Sequence, residues 1–226
     1  MVKYLLKKSY QLKNLKEIKY DDLWNKDGVF TTMWLYNKPQ KILFFKSHID
    51  NLLKSLKAYK IYEKDIRSKI LSLIYENIDK KKFYNHLLRI ALNRKIISIS
   101  LRDKIRPKQN FGIKLVDYER VRPQYKNLKY KKILSYLSKV DNSKSDIGLV
   151  NKKKIFETGT SNLLFVSKKK IFSPKKNFYE GITYKFFRSK KKIKKKEIFV
   201  KDLDDYEEIL LIGSGKGVTS VKNIKQ

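Results

Sequence analysis

Cysteine is missing from all 226 residues, so neither a disulfide framework nor a thiolate metal site is available to this chain. Only two histidines are present, His48 and His86, which leaves a histidine-based metal site without support. Alanine is reduced to Ala58 and Ala91, and proline and glycine to four and eight residues. No run approaches the ~18–20 consecutive apolar residues that span a bilayer. The opening "MVKYLLKKSYQLKNLKEIKY" has lysines throughout and no small-residue cleavage site, unlike a signal peptide. These absences make a soluble cytoplasmic protein the expectation. Walker, GxSxG, HExxH and GxGxxG patterns are also lacking, so the common nucleotide, hydrolase and zinc-protease readings lose their footing.

What is abundant is lysine. Lysine and arginine total 55 against 22 acids, a net charge of +33, yet only eight of the 55 are arginine. Recognition of phosphates or bases favours the arginine fork. Here lysine rises together with Ile, Asn, Tyr and Phe, the skew an A·T-rich genome writes into solvated positions. The competing reading is a nucleic-acid patch centred on "SKKKIKKK" (189–196) with Phe186, Phe187 and Phe199 beside it. No RNP, KH or helix-turn-helix pattern accompanies it, and the lysines spread along the chain rather than forming one stripe. A basic nucleic-acid-binding protein without catalytic activity therefore stands as a distant alternative.

Hydrophobic residues make up 41% of the chain, with 15 Tyr and 12 Phe, enough for a sizeable core. "DGVFTTMWLYNKPQKILFF" predicts two β-rich runs split at Asn37–Pro39. Ser47 with Asp50 resembles a capping box opening a helix whose stripe is Ile49, Leu52, Leu53 and Leu56. A second helix fits 64–78. Alternation of Ile97, Ile99 and Leu101 with Ser98 and Ser100 predicts a strand. Polar "RDKIRPKQN" marks a boundary between an N-terminal α/β lobe, 1–105, and a C-terminal lobe, 106–226. In the second lobe strand-like "GIKLVDYERV" precedes a helix spaced by Tyr130, Ile133, Leu134 and Leu137. Strands "DIGLV" and "IFE", a hairpin from "NLLFV" to "IFS", a helix near "GITYKFF" and strands "EILLIG" and "VTSV" follow. The lysine run after that helix reads as a solvated helix end or loop. The class is α+β, or mixed α/β.

One acid raises a question of chemistry. Glu157 sits at the end of a predicted strand, followed by a small-residue turn and Asn162, in a chain saturated with lysine. A strand-end counter-charge is one reading. The Gly-rich "GSGKG" at 213–217 is able to cradle a phosphate through backbone N–H groups, though it lies too late in the chain to open a P-loop unit.

Taken in order, "DGVF" (27–30), His48 with Asn51, Lys126 with "KY" at 129–130, "ETGTSNLLF" (157–165), "SP" (173–174), "EGIT" (180–183) and "GSGKGVTSV" (213–221) resemble the class IV aminotransferases. The resemblance runs from about residue 20 to the C-terminus and is strongest over 157–183. It implies a two-lobed fold type IV enzyme that uses pyridoxal 5'-phosphate, the C-terminal lobe binding the cofactor, assembled as a homodimer. The family includes branched-chain and D-amino-acid aminotransferases and 4-amino-4-deoxychorismate lyase. The first activity implied is amino-group transfer between an amino acid, such as a branched-chain one, and a 2-oxo acid. The alternative is the lyase, which eliminates pyruvate from aminodeoxychorismate on the way to 4-aminobenzoate.

The cofactor needs a lysine amine for its aldehyde, an acid at the pyridine nitrogen and a site for its phosphate dianion. By resemblance Lys126 is the catalytic lysine and Glu157 the acid that holds the pyridine nitrogen protonated. The phosphate falls to Gly181, Ile182, Thr183 and Ser214, with an ordinary helix N-cap as the alternative for the Gly-Ile-Thr turn. Tyr130 is placed beside the ring oxygen, with core packing as the alternative. Departures from the family pattern are plain. Asn51 stands where the family carries a phosphate-binding arginine, Lys129 replaces an asparagine, Ser173 a threonine, Tyr184 an arginine and Thr31 an acid.

Overall fold

A computed structural model describes residues 3–225, which divide into two compact units. Of the described residues, the first takes 3–104 and 125–131; the second takes 105–124 and 132–225. A single cut near residue 105 therefore misses one feature: the chain returns to the first unit for the seven residues that contain Lys126 and Tyr130.

The first unit is a six-stranded sheet with two helices. Its strands are β1 (Tyr4–Gln11), β2 (Glu17–Ile18), β3 (Gly28–Asn37), β4 (Lys41–Ile42), β5 (Tyr84–Asn93) and β6 (Ile96–Asp103), in spatial order β2-β1-β6-β5-β3-β4 and antiparallel throughout. Helices α1 (Phe45–Ala58) and α2 (Ile66–Asn77) lie between β4 and β5 in the chain. Side chains of a strand alternate between faces. Val29, Met33 and Leu35 of β3, Leu88, Ile90 and Leu92 of β5 and Ile97, Ile99 and Leu101 of β6 share one core with Ile49, Leu52 and Leu56 of α1 and Ile70 and Leu73 of α2. The predicted α1 stripe is thus the packed face. The predicted capping box is not formed. The helix starts at Phe45 behind a left-handed Phe44, Ser47 lies inside the first turn, and Asp50 pairs with Lys46 at 2.8 Å and with Arg67.

On β6 the opposite sheet face is polar yet covered. Ser98 and Ser100 are as buried as the isoleucines they alternate with. The loop before β3 closes over them: Ser98 Oγ donates to the Asp21 carbonyl at 2.7 Å, and Asp21 N–H donates to Ser9 Oγ at 2.9 Å. Buried hydroxyls are tolerated there because each has a partner.

The second unit has two sheets. Strands β7 (Gly112–Asp117), β8 (Ser145–Asn151) and β9 (Lys154–Thr158) surround the short helix α3 (Lys131–Leu137) in sequence. The predicted strand "GIKLVDYERV" ends at Asp117, and 118–130 is irregular. Strands β10 (Asn162–Ser167) and β11 (Lys170–Pro174), helix α4 (Ile182–Lys190), and strands β12 (Ile193–Lys196), β13 (Glu208–Gly213) and β14 (Gly217–Val221) follow. The sheet order is β12-β11-β10-β13-β14, and β15 (Asn223–Lys225) returns to pair with β7 in the order β15-β7-β8-β9. Alternation again sets the packing. Leu163 and Phe165 of β10 with Ile209 and Leu211 of β13 enter one core, with Phe111, Ile113 and Ile155. Leu164 and Ile212, on the other face, pack with Phe178 and Tyr184 around α4. The lysine run expected as helix end or loop corrects itself here: it closes α4, then forms β12, parallel to β11. Exposed lysines suit an edge strand because they discourage further pairing.

Candidate functional site

Each unit carries one group of candidate residues. In the first, Gly28 explains how Lys126 is positioned. A Cβ on Gly28 would fall 2.2 Å from the Leu92 carbonyl oxygen and 2.7 Å from Leu128 Cδ1, so only glycine admits this approach. The 125–128 segment then lies along the start of β3. Phe30 N–H donates to the Lys126 carbonyl at 2.9 Å, Leu128 N–H donates to the Gly28 carbonyl at 3.0 Å, and Val29 bridges to Asn127. Lys126 is half-buried, its Nζ 5.2 Å from the centre of the Phe30 ring. The glycine of "DGVF" and the lysine nearly a hundred residues later belong to one local arrangement.

His48 is buried in α1, with its Nδ1 2.8 Å from Thr31 Oγ1. Burial, and then the charge of Lys126, push its pKa down to about 3, so the imidazole is neutral at neutral pH. Asn51, three residues on, is half-buried on the same helix, and its carbonyl accepts from Ser55 Oγ at 2.8 Å. Tyr130 is buried, its ring stacked on Trp24 at 5.3 Å and edge-on to Phe30 at 5.5 Å. The same aromatic group carries Arg89, missed by sequence reasoning. Its guanidinium lies 3.8 Å from the Trp24 ring centre, and its Nη2 donates to the Asp22 carbonyl at 2.8 Å. Burial pushes Arg89 down to about 10.

In the second unit Glu157 occupies β9, buried on the strand as the sequence placed it. Its partner was not foreseen. Arg120 Nε donates to Glu157 Oε1 at 2.9 Å, and both side chains are 4% exposed, so the pair is fully desolvated. Tyr179 lies near the same pair. Burial pushes its hydroxyl above the ordinary tyrosine range, the Arg120 charge opposing and the Glu157 charge reinforcing the shift.

Gly181 is the N-cap of α4 and its N–H donates to Asn162 Oδ1 at 3.0 Å; Asn162 Nδ2 donates to the Tyr179 carbonyl. No side chain caps this helix, and a Cβ on Gly181 would meet Asn162 Oδ1 at 2.9 Å. Ile182 is buried as the first helical residue. Thr183, in the first turn, has its Oγ1 3.3 Å from Ser214 Oγ, which sits in the turn between β13 and β14. Gly181, Thr183 and Ser214 are thereby gathered at the amino end of α4, where free backbone donors favour an anion. Among the described residues no cluster of three or more His, Cys, Asp or Glu is placed to hold a metal ion. No helix among them is long and apolar enough to cross a membrane.

The candidate residues thus fall in two groups, a lysine and a neutral buried histidine in one unit, and a desolvated carboxylate and hydroxyls at a helix amino end in the other. The family is shown by the match of residues 28–224 to the model of amino-transferase class IV, and the chain belongs to that family of pyridoxal-phosphate-dependent aminotransferases and lyases. No curated protein sequence matches the chain significantly. The fold is that of fold type IV aminotransferase structures. It is similar to the branched-chain aminotransferase of Thermoproteus uzoniensis solved with norvaline, at 16% identity and a TM-score of 0.78, covering 96% of this chain and 86% of that one. The branched-chain amino acid aminotransferase of Escherichia coli gives 14% and 0.76, covering 96% and 86%. A putative 4-amino-4-deoxychorismate lyase of Legionella pneumophila gives 16% and 0.72, covering 88% and 83%.

Proposed function

We propose that this chain is a pyridoxal-phosphate-dependent aminotransferase that moves an amino group between an amino acid, branched-chain in the first instance, and a 2-oxo acid. The observation that carries this reading is Glu157, a carboxylate 4% exposed on β9 in the same unit as the Thr183–Ser214 hydroxyl pair. The residues fit the cofactor's three demands. A carboxylate accepts at several lone-pair positions, which suits Glu157, held on its strand by Arg120, to a protonated pyridine nitrogen. The bare glycine cap of α4 and the two hydroxyls suit a phosphate dianion. Bound pyridoxal phosphate supplies the electron sink that allows a bond at the substrate Cα to ionise.

The chain's own groups do the rest. Lys126 supplies the amine that holds the cofactor and afterwards carries a proton at the substrate Cα. His48, neutral at working pH, adds no further positive charge near that amine. Ile182, Thr183 and Ser214 take the phosphate through N–H and hydroxyl donors at the helix end that Gly181 opens, its own N–H being held by Asn162, and Asn51 adds a neutral donor from α1. Tyr130 serves the ring oxygen. The active form is a homodimer.

The test offers the purified chain pyridoxal phosphate, then either branched-chain amino acids with 2-oxoglutarate or aminodeoxychorismate. The expected result is cofactor absorbance that borohydride fixes as a pyridoxyl group on the Lys126 peptide, together with glutamate formation. Release of pyruvate and 4-aminobenzoate instead assigns the lyase. A chain that retains no cofactor ends the enzyme reading.

A further inference from the structure

The turn that carries Ser214 also carries Lys216, and this lysine does not point into solvent like most of the others. Its side chain is 9% exposed and its Nζ donates to Asp146 Oδ2 at 2.8 Å, a carboxylate with no exposure at all. The same Nζ lies 2.8 Å from Thr160 Oγ1, and 5.3 Å from the Phe111 ring centre. Asp146, on β8, is saturated with donors. Thr158 Oγ1 donates to Oδ2 at 2.9 Å, Thr160 Oγ1 also donates to Oδ2, and Ile147 N–H donates to Oδ1 at 2.8 Å. Burial pushes the Asp146 carboxyl up, but the Lys216 ammonium and the surrounding donors outweigh it and hold it below the usual carboxylate range.

The network links two turns. One is 158–161, immediately after Glu157, where Thr158 Oγ1 also accepts from Ser161 N–H at 2.9 Å. The other is 214–216, between β13 and β14. The two are already in close approach, since a Cβ on Gly213 would lie 3.0 Å from Ser161 Oγ. A buried ion pair contributes little net stability once both charges are desolvated, but it fixes geometry, because neither partner has another place to go. Ser214 lies two residues from Lys216 on this three-residue turn.

We infer that Lys216, through Asp146 and Thr160, is a positioning residue that holds the 214–216 turn so that Ser214 and Thr183 together form the subsite for the phosphate group of the cofactor. Lys216 does not touch the phosphate itself. The inference rests on the assignment of that hydroxyl pair to a phosphate, proposed above.

The experiment compares binding of pyridoxal phosphate and of pyridoxal, which lacks the phosphate, by equilibrium dialysis at fixed salt. Lys216→Met keeps the stem and removes the charge. A second variant, Lys216→Met with Asp146→Asn, removes both charges, so no buried carboxylate is left unpaired should the single change fail to fold. In whichever variant is folded by circular dichroism, pyridoxal phosphate is expected to bind roughly tenfold more weakly, the cost of one displaced bond to a charged group. Pyridoxal is expected to bind as in the parent. Equal weakening of both ligands, or of neither, overturns the positioning role while the parent's own phosphate preference stands. A parent that binds pyridoxal phosphate no better than pyridoxal removes the phosphate subsite itself, and this inference with it.

Discussion

His48 shows what burial does to a single titratable side chain. The imidazole of His48 is held neutral down to a pH of about 3, whereas in the unfolded chain it takes its proton near the ordinary 6.5. The unfolded state thus binds the extra proton between those values, so stability is complete above 6.5 and declines as pH falls toward 3. Each pH unit within that window is worth up to about 1.4 kcal/mol. Urea unfolding at pH 7 and pH 5 is expected to cost the parent about 2 kcal/mol more than it costs His48→Gln. Equal losses in the two proteins contradict the buried neutral histidine. Glu157 is ion-paired with Arg120, and both side chains are 4% exposed. Removing one partner of such a pair costs about 3–5 kcal/mol, so Arg120→Met is expected to lower the unfolding midpoint sharply. Glu157→Gln keeps a carbonyl acceptor for Arg120 and is expected to fold, retain pyridoxal phosphate and turn over more slowly, because a neutral amide does not hold a pyridine nitrogen protonated. Turnover equal to the parent's would leave Glu157 only its role as the counter-charge of Arg120.

At the scale of elements, β3 and the 125–128 segment depend on each other through Gly28. Gly28→Ala would drive a methyl into the Leu92 carbonyl and Leu128 side chain, and one of the two has to give. Since β5 is fixed by pairing on both sides, the 125–128 segment is the one expected to move. Borohydride labelling at Lys126 should then fall at least about tenfold while the far-ultraviolet circular dichroism of the sheet is kept, the scale of loss that a misplacement of about 1 Å brings. Unchanged labelling would show that the glycine is not what places the lysine. The elements also separate what was legible from what was not. Period-3.6 and period-two patterns located α1, α2 and β6, each with one apolar face, while β3, the β10–β11 hairpin and the β13–β14 pair stood out as apolar runs between turn residues. β1 and β5 escaped notice: lysines interrupt β1, and β5 is buried on both faces, so neither alternates cleanly. β12 hid in a lysine run because an edge strand needs little apolar surface. Glu157, Gly181, Thr183 and Ser214 became candidates through motif order. Arg120, Asp146 and Lys216 did not, since an ion pair between residues many positions apart leaves no local pattern, and one lysine among 47 carries no mark.

The whole molecule is governed by its charge. Each chain carries +33, and two such chains brought into a homodimer repel over the screening distance of the solution. That distance is about 30 Å at 0.01 M ionic strength and about 8 Å at 0.15 M, so the repulsion between subunits is long-ranged in dilute buffer and short-ranged near physiological salt. Apolar burial between subunits is not weakened by moderate salt in the same way. The two contributions therefore shift against each other as salt is raised, and the proposed dimer should tighten. Light scattering at a fixed chain concentration is expected to move from a mass approaching the 27.0 kDa chain at 0.01 M salt toward twice that value at 0.15–0.3 M. Cofactor retention measured across the same series should rise with the dimer if the subunits close the site together. The same titration separates the nucleic-acid alternative, whose binding weakens steeply with salt because counterions are released from the phosphates. A chain that stays at 27.0 kDa at every salt concentration would refute the dimer, and retention that ignores the monomer–dimer change would show that each subunit holds its cofactor alone.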